Sequence, residues 1–545
     1  MAVRILKLQI MTDINSSLNN AYSRIPSPAK AAFAGALCCG LLTHIIAMTG
    51  DFPNHDGLGS LYFNQDMITS GRWFLTVTCG ISSYFALPWL IGILGMLYIG
   101  IAAALITDIL EIKSRVSALL TGMVMAAFPV LASTFADVFT MDGYMLGMLM
   151  AVAAVFFTKR YRFGWIGGAI LLALSLGTYQ AYLPVAILLC MYCVFLAEIR
   201  EGSVKEKLKN ILRFLYMGVA GAVLYYGVLK ILLAVRGLTL GSYQGMENAG
   251  SAGLGAIAGM YRDFIAFTLK SDVIAPNVFA WIAIAALALC ACVLFVREAV
   301  TQKWYKSISF YLTLILFALV TPVMTNIVLI ISPDVTYHAI MRYQYVLFPV
   351  IMIAVIDRFS RPETQKTGDE QASVKKVSSG FNLIAGWVLG TAGAVLVFCY
   401  AVTDNIGYSN LQKKYERTYA YCVRLLDRIE QTPGYYRGIP VAMIGVVSDE
   451  QYPKADLTGG VTDNLIGLSG DYLLYKNVDY ELFIKNYLGA ELNMITGDEI
   501  IDIYNSKEYI EMDSFPAENS VKLVNGKIYV KTENVDYGLR DQLSK

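Results

Sequence analysis

The sequence predicts a mainly α, polytopic helical membrane protein that ends in a small mixed α/β domain. Three observations carry that prediction. Of 545 residues, 56% are hydrophobic and 16% are charged, and the mean hydropathy is +0.53, a balance no ordinary soluble domain shows. The apolar residues gather in blocks long enough to cross a hydrocarbon core, about 30 Å thick, which takes roughly 20 residues per helix. Lys and Arg collect in alternate connections between those blocks.

The blocks fall near 31–50, 84–106, 116–135, 143–158, 163–178, 182–197, 214–235, 276–296, 307–331, 343–356 and 381–402, which makes about eleven transmembrane helices. Segment 1–30 carries Arg4, Lys7 and Asp13 without a small-residue cleavage site, so it is expected to stay in the cytoplasm and the first span to remain as an anchor. Basic connections around Lys113 and Arg115, Lys159 to Arg162, Arg200 to Lys209, Arg297 to Lys306 and Arg358 to Lys376 are expected on the same side. The intervening connections hold only Arg72, Arg236, Arg262, Lys270 and Arg342, so they are expected outside. Two long apolar stretches have basic residues at both ends and must cross twice. Their outer turns fall at Asp137 to Asp142 and at Gly177 to Gln180.

This divides the chain into 1–30, a transmembrane unit at 31–402, and an extracytoplasmic domain at 403–545, with a polar cytoplasmic linker from Arg361 to Ser379. In the tail, Leu411 to Ile429 and Tyr480 to Leu488 read as helices and Val441 to Val447 as a buried strand. Val521 to Lys531 reads as a hairpin, since Asn525-Gly526 supplies the positive φ angles of a type I′ turn. The tail has no phosphate-binding glycine loop, metal-ligand spacing or nucleophile motif, which points to acceptor binding or assembly. A formal net charge of +1 gives no reason to expect nucleic acid as a partner. The nine cysteines lie mostly within spans, where Cys190 and Cys193 count as small hydrophobes, and Cys422 alone falls in the tail, so no disulfide framework is expected there.

Chemistry is expected in the loop from Asp51 to Trp73, where Asp51, His55, Asp56, Asp66 and Arg72 follow the first span. Leu58, Leu61, Tyr62 and Ile68 are spaced as one face of a surface-lying helix, with Asn64, Gln65 and Asp66 opposite, and Asp56 at its start has N-capping as its structural alternative. At the second outer turn, Asp137 suits a turn-former and Asp142 either caps the next span or serves a ligand. Tyr179 and Gln180 interrupt an apolar hairpin with groups that hydrogen-bond sugars. His338 and Arg342 lie four apart and would share a helical face able to hold an anion. All three histidines, His44, His55 and His338, fall near the outer face, but without zinc-site spacing, so no metal or other cofactor is expected.

Pro53-Asn54-His55-Asp56, Ser70-Gly71-Arg72-Trp73, Asp142-Gly143-Tyr144 and Leu176 to Tyr182 together resemble the Gtr-type glucosyltransferase domain family, within the GT-C superfamily of polytopic glycosyltransferases. The resemblance covers most of 30–360. It implies a polyprenyl-phosphate-linked hexose used on the outer leaflet, with inversion at the anomeric carbon. A glycan acceptor is expected there, and an outer domain without disulfides suits a bacterial cell membrane. Family members often carry paired acids where this chain has His55-Asp56, which leaves Asp56 as the base expected at that motif. A lipid phosphate leaves without a protonating acid, so one base suffices. Arg342, with Arg72 or His338, is expected to stabilise the departing phosphate, and His55, Asp142, Tyr179 and Gln180 to contact substrate. A transporter or flippase would need ionisable groups deep in several spans, and a polysaccharide polymerase an arginine-rich outer loop. Neither pattern is present in the sequence.

Overall fold

The computed structural model describes residues 16, 19–20, 22–60, 64–200, 204–248, 250–251, 253, 255–361, 380–444, 460–469, 473–474 and 477–532. Most of 1–30, residues 61–63, most of the linker and residues 445–447 of the expected strand lie outside these. Each of the apolar blocks is helical. The major helices are α1 (Ser27–Thr43), α2 (His55–Ser60), α3 (Pro88–Leu110), α4 (Arg115–Ala127), α5 (Val130–Ala136), α6 (Met141–Arg160), α7 (Gly164–Thr178), α8 (Leu183–Ile199), α9 (Val204–Arg236), α10 (Gly255–Lys270), α11 (Val278–Thr301), α12 (Ile308–Thr325), α13 (Leu347–Phe359) and α14 (Gly380–Glu430). Among the described residues, 7 helices are long and apolar enough to cross a membrane, or 8 if α4 and α5, bent by 45°, form one span. The bend falls at Pro129, which has no N–H to continue the helix. α1 and α7 are apolar but shorter.

Small residues let α1 and α4 approach backbone to backbone. A Cβ on Gly122 would lie 2.0 Å from Ala32 O and 2.8 Å from Ala36 N. Close backbone contact of this kind is how helices pack where lipid supplies no hydrophobic drive between them. Gly122→Leu is therefore expected to abolish the monodisperse protein recovered by detergent extraction and size exclusion. Gly218→Leu, at a site where an added Cβ meets nothing, should leave it intact.

The two classes of connection read from the charge pattern occupy opposite ends of the bundle. At one end Glu111 pairs with Lys159 and Arg358, each at 3.0 Å, and with Arg200. Burial alone would push its carboxyl up, but Lys159 and Arg200 overcome that and hold it at about 2. Asp357 accepts from the backbone N–H groups of Lys113 and Ser114 at 2.9 Å and pairs with Arg361 at 2.7 Å. At the other end meet the loop after α1, the α5–α6 turn, the α7–α8 turn, α10 and the segment before α13.

Helix α14 runs unbroken for 51 residues, roughly 75 Å, so the expected last span and first tail helix are one rod. His44 Nδ1 lies 2.5 Å from Tyr408 Oη, and Asn405 donates to Thr43 O at 3.2 Å, which ties the rod to the end of α1. Beyond it the strands β1 (Pro440–Ile444), β2 (Asn493–Met494), β3 (Val521–Val524) and β4 (Lys527–Lys531) form a sheet in the order β2-β1-β4-β3, parallel except for the β3–β4 hairpin. Asn525 and Gly526 have φ of 49° and 77°, the turn expected there. Tyr421, Cys422 and Leu425 of α14 pack with Val441, Phe483, Ile528 and Val530 in the tail core.

Candidate active site

Asn54 organises the start of α2. Its Oδ1 accepts from Gly57 N at 2.7 Å, and its Nδ2 donates to the Asp137 carboxylate. The N-cap is thus Asn54, not Asp56, which sits in the first turn with a side chain 59% exposed and Oδ1 3.4 Å from His55 Nε2. No single surface helix spans the loop. α2 is described as far as Ser60, residues 64–66 are irregular, and a bridge between Met67 and Arg72 closes a tight 3₁₀ turn at Ile68–Ser70. Leu58 is 1% exposed within the tail core, whereas Ile68 packs on Leu229 and Leu233 of α9, so the two apolar residues serve different cores. The glycines at 57 and 59 weaken the helix that the periodicity suggested. Leu61 and Tyr62, the rest of that expected face, lie outside the described residues.

Arg72, Tyr179 and Gln180 converge in a buried knot. Arg72 donates to Tyr144 Oη at 3.2 Å and lies 4.8 Å from the Tyr179 ring, which stacks on Tyr144 at 4.3 Å. Gln180 Nε2 donates to Ser70 O at 3.0 Å and lies 3.1 Å from Tyr225 Oη. Gly71, at φ 78°, is pressed so close to Gln180 and Tyr225 that any side chain would collide. These contacts fasten the loop to the bundle. Asp142 lies buried in the first turn of α6 and accepts from Gly143 N at 2.8 Å.

A cavity of about 490 Å³ opens at this end of the bundle. His55, His338 and Arg342 line it, joined by Asp263 and Lys270 of α10 and by Asp463, Asn464 and Ser469 of the tail. Asp56 follows His55 in the chain and acts electrostatically on His338, two residues of the wall, but is not itself among the lining residues. His338 and Arg342 do not share an α-helical face. Two short 3₁₀ turns, Ala339–Met341 and Tyr343–Val346, meet at Arg342 and bring both residues to the cavity by another route. Arg342 is nearly buried and already engaged: its two Nη atoms lie 2.6 and 2.8 Å from the Asp263 carboxylate oxygens, and Nε donates to Tyr337 O at 3.2 Å. Asn326 donates to Asp263 at 3.0 Å. Partial burial lowers the pKa of His338, opposed by Asp56 and reinforced by Arg342, so at neutral pH it offers hydrogen bonds rather than positive charge. Among the described residues no three of His, Cys, Asp and Glu converge as a metal-holding group.

Residues 45–355 match the model of the glucosyl transferase GtrII family, more than half of the chain. The chain belongs to the GtrII glucosyltransferase family. No curated protein and no solved structure matches it. The matched part of this GtrII protein includes the opening loop, the buried knot and the cavity wall formed by Asp263, His338 and Arg342. The tail wall lies outside it.

Three groups escaped the sequence-based expectations. Asp263 sits on an amphipathic helix whose partner is 79 residues away, and nothing local marks it. Asp463 and Asn464 lie in a Gly-rich stretch whose composition signals a loop but not its destination. Asp137 sits in the turn expected of it, but its burial was not foreseen: it is 7% exposed, with its carboxyl pushed up to about 7 by burial, a shift that Asn54 opposes and Asp56 adds to. An unfolded aspartate releases its proton near 3.8, so Asp137 stabilises the fold least once it is ionised. Its favourable contribution is complete below 3.8 and is lost as pH rises through about 7. Asp137→Asn, which cannot ionise, is expected to raise stability at pH 8 by on the order of a few kcal/mol and to change little near pH 4. Equal melting shifts at both pH values would refute this.

Proposed function

We propose that this glucosyltransferase moves glucose from a polyprenyl-phosphate donor to a polysaccharide on the outer face of a bacterial cell membrane, with inversion at the anomeric carbon. The cavity carries the reading: Arg342 and Lys270 supply cations suited to a phosphate, and His55 in the same wall has the Asp56 carboxylate 3.4 Å from its ring. The acceptor hydroxyl oxygen bonds to C1 of the glucosyl unit as the C1–O bond to the phosphate breaks. Its proton passes to Asp56, and the leaving polyprenyl phosphate keeps the bonding electrons. Arg342 and Lys270 stabilise the charge that accumulates on that phosphate, and His338 donates a hydrogen bond. Exposure suits Asp56 to its role, because it leaves the carboxylate within reach of an incoming hydroxyl.

Arg72, Tyr179 and Gln180, first expected at the substrate, are assigned to holding the loop in position: Gln180 bonds the loop backbone at Ser70 and lies against Tyr225, and Arg72 donates to Tyr144 over the Tyr179 ring. Asp142 is assigned to the same framework. Family membership favours a transferase over a flippase or polymerase. Purified protein in detergent, given polyprenyl-phosphate glucose and glycan from the producing cells, should form a glucosylated product of inverted configuration. Absence of product from that donor, with product from a nucleotide-activated sugar, would refute the donor assignment.

A further inference from the structure

The tail segment 460–469 packs against the transmembrane helices. Leu465 and Leu468 are 1% and 0% exposed and belong to the core of the helical bundle. Asn410 of α14 donates to Thr462 Oγ1 at 2.9 Å, and Thr462 Oγ1 donates to Leu468 O at 2.9 Å. Gly467, at φ 79°, is seated so closely that a Cβ would lie 2.9 Å from both Ala136 and Asn54. The segment thus touches the residue that caps the catalytic loop. It buries its apolar side chains in the bundle and leaves Asp463 and Asn464 exposed at the cavity. A loop held this firmly has little ordering entropy to lose when it binds a ligand.

The cavity walls differ in chemistry. Lys270 and Arg342 stand on the bundle side and suit a phosphate, whereas the tail side offers a carboxylate, a carboxamide and the Ser469 hydroxyl, groups that pair with sugar hydroxyls. Residues 45–355 match the family and the segment lies beyond them, so this wall is an addition to what the family model describes. Building on the transferase reading above, we propose that Asp463 and Asn464 form the acceptor subsite and select a neutral, hydroxyl-rich glycan. Asp463 accepts from hydroxyls, and its exposed carboxylate repels acidic sugars.

The test uses the full-length enzyme in detergent. Oligosaccharides released by mild hydrolysis from the producing cells' surface glycan are separated by anion exchange into neutral and acidic pools. With the neutral pool, Asp463→Ala/Asn464→Ala should raise the acceptor KM about tenfold while the donor KM moves by less than about twofold. Asp463→Asn, which keeps the shape, guards against loss of fold and should show a smaller rise in the same direction. An unchanged acceptor KM, a parallel rise in donor KM, or wild-type activity with the acidic pool alone would overturn the proposal. If wild type makes no product from polyprenyl-phosphate glucose, the donor reading fails and the subsite is judged by calorimetric titration with the neutral pool. Binding that the double variant loses supports the subsite. Binding that it keeps, or none to wild type, overturns it.

Discussion

Asp56→Asn is expected to lower glucosyl transfer by about 10²- to 10⁴-fold while donor binding stays near that of wild type, the loss typical when a general base is removed. Asn preserves the volume and the local hydrogen bonding but cannot accept a proton. Because Asn54 caps α2, the substitution removes no capping contact, and a side chain 59% exposed has little packing to lose. A drop in rate therefore reports chemistry rather than folding. Single-turnover transfer with preloaded donor separates the two, and near-normal turnover in that assay would end the assignment of Asp56. Replacing His55 with Ala is expected to be a weaker perturbation, since in the proposed scheme its ring flanks Asp56 without accepting the proton.

Arg342→Ala should cost about 10²- to 10³-fold in turnover and weaken donor binding as well. Two effects add. The guanidinium proposed to face the leaving phosphate is lost, and Asp263, still held by Asn326 at 3.0 Å, is left with an uncompensated negative charge in the same cavity. Removing both charges in Arg342→Ala/Asp263→Ala is expected to recover part of the donor affinity but not the turnover. Arg342→Lys should rescue poorly, because one ammonium cannot span both oxygens of Asp263 and reach a phosphate as well. Donor KM and kcat measured across this set check the scheme. Additive losses in the double variant would mean that Asp263 and Arg342 act independently.

The helical blocks and the gathering of alternate connections at opposite ends were legible in the sequence because both follow from local composition. Burial in lipid demands apolar runs, and the basic residues at Lys159, Arg200 and Arg358 converge on one end around Glu111. The hairpin at Asn525-Gly526 was legible for the same reason, since a two-residue turn encodes its own geometry. Contacts between distant segments were hidden. Asp263 reaches Arg342 across 79 positions and Asn54 reaches Asp137 across 83, and neither distance leaves a local trace. Periodicity misled at Leu58 and Ile68, where two residues at helical spacing were drawn into separate cores by the tail and by α9. At the candidate site, residue types were informative and partners were not. Arg72 was a conspicuous cation, but its tyrosine shell became visible only in three dimensions.

The unbroken α14 makes the tail's bearing a matter of counting residues. Each residue added to a helix rotates the downstream chain by about 100° around the axis. The compass direction in which the sheet faces is therefore set by the number of residues between the Thr43 contact at Asn405 and the tail-core residues Tyr421, Cys422 and Leu425, and that of segment 460–469 by the spacing to its contact at Asn410. A flexible tether would let insertions drift into this stretch without penalty. A rod forbids them, so the length of this stretch is under geometric constraint even where its side chains are free to vary.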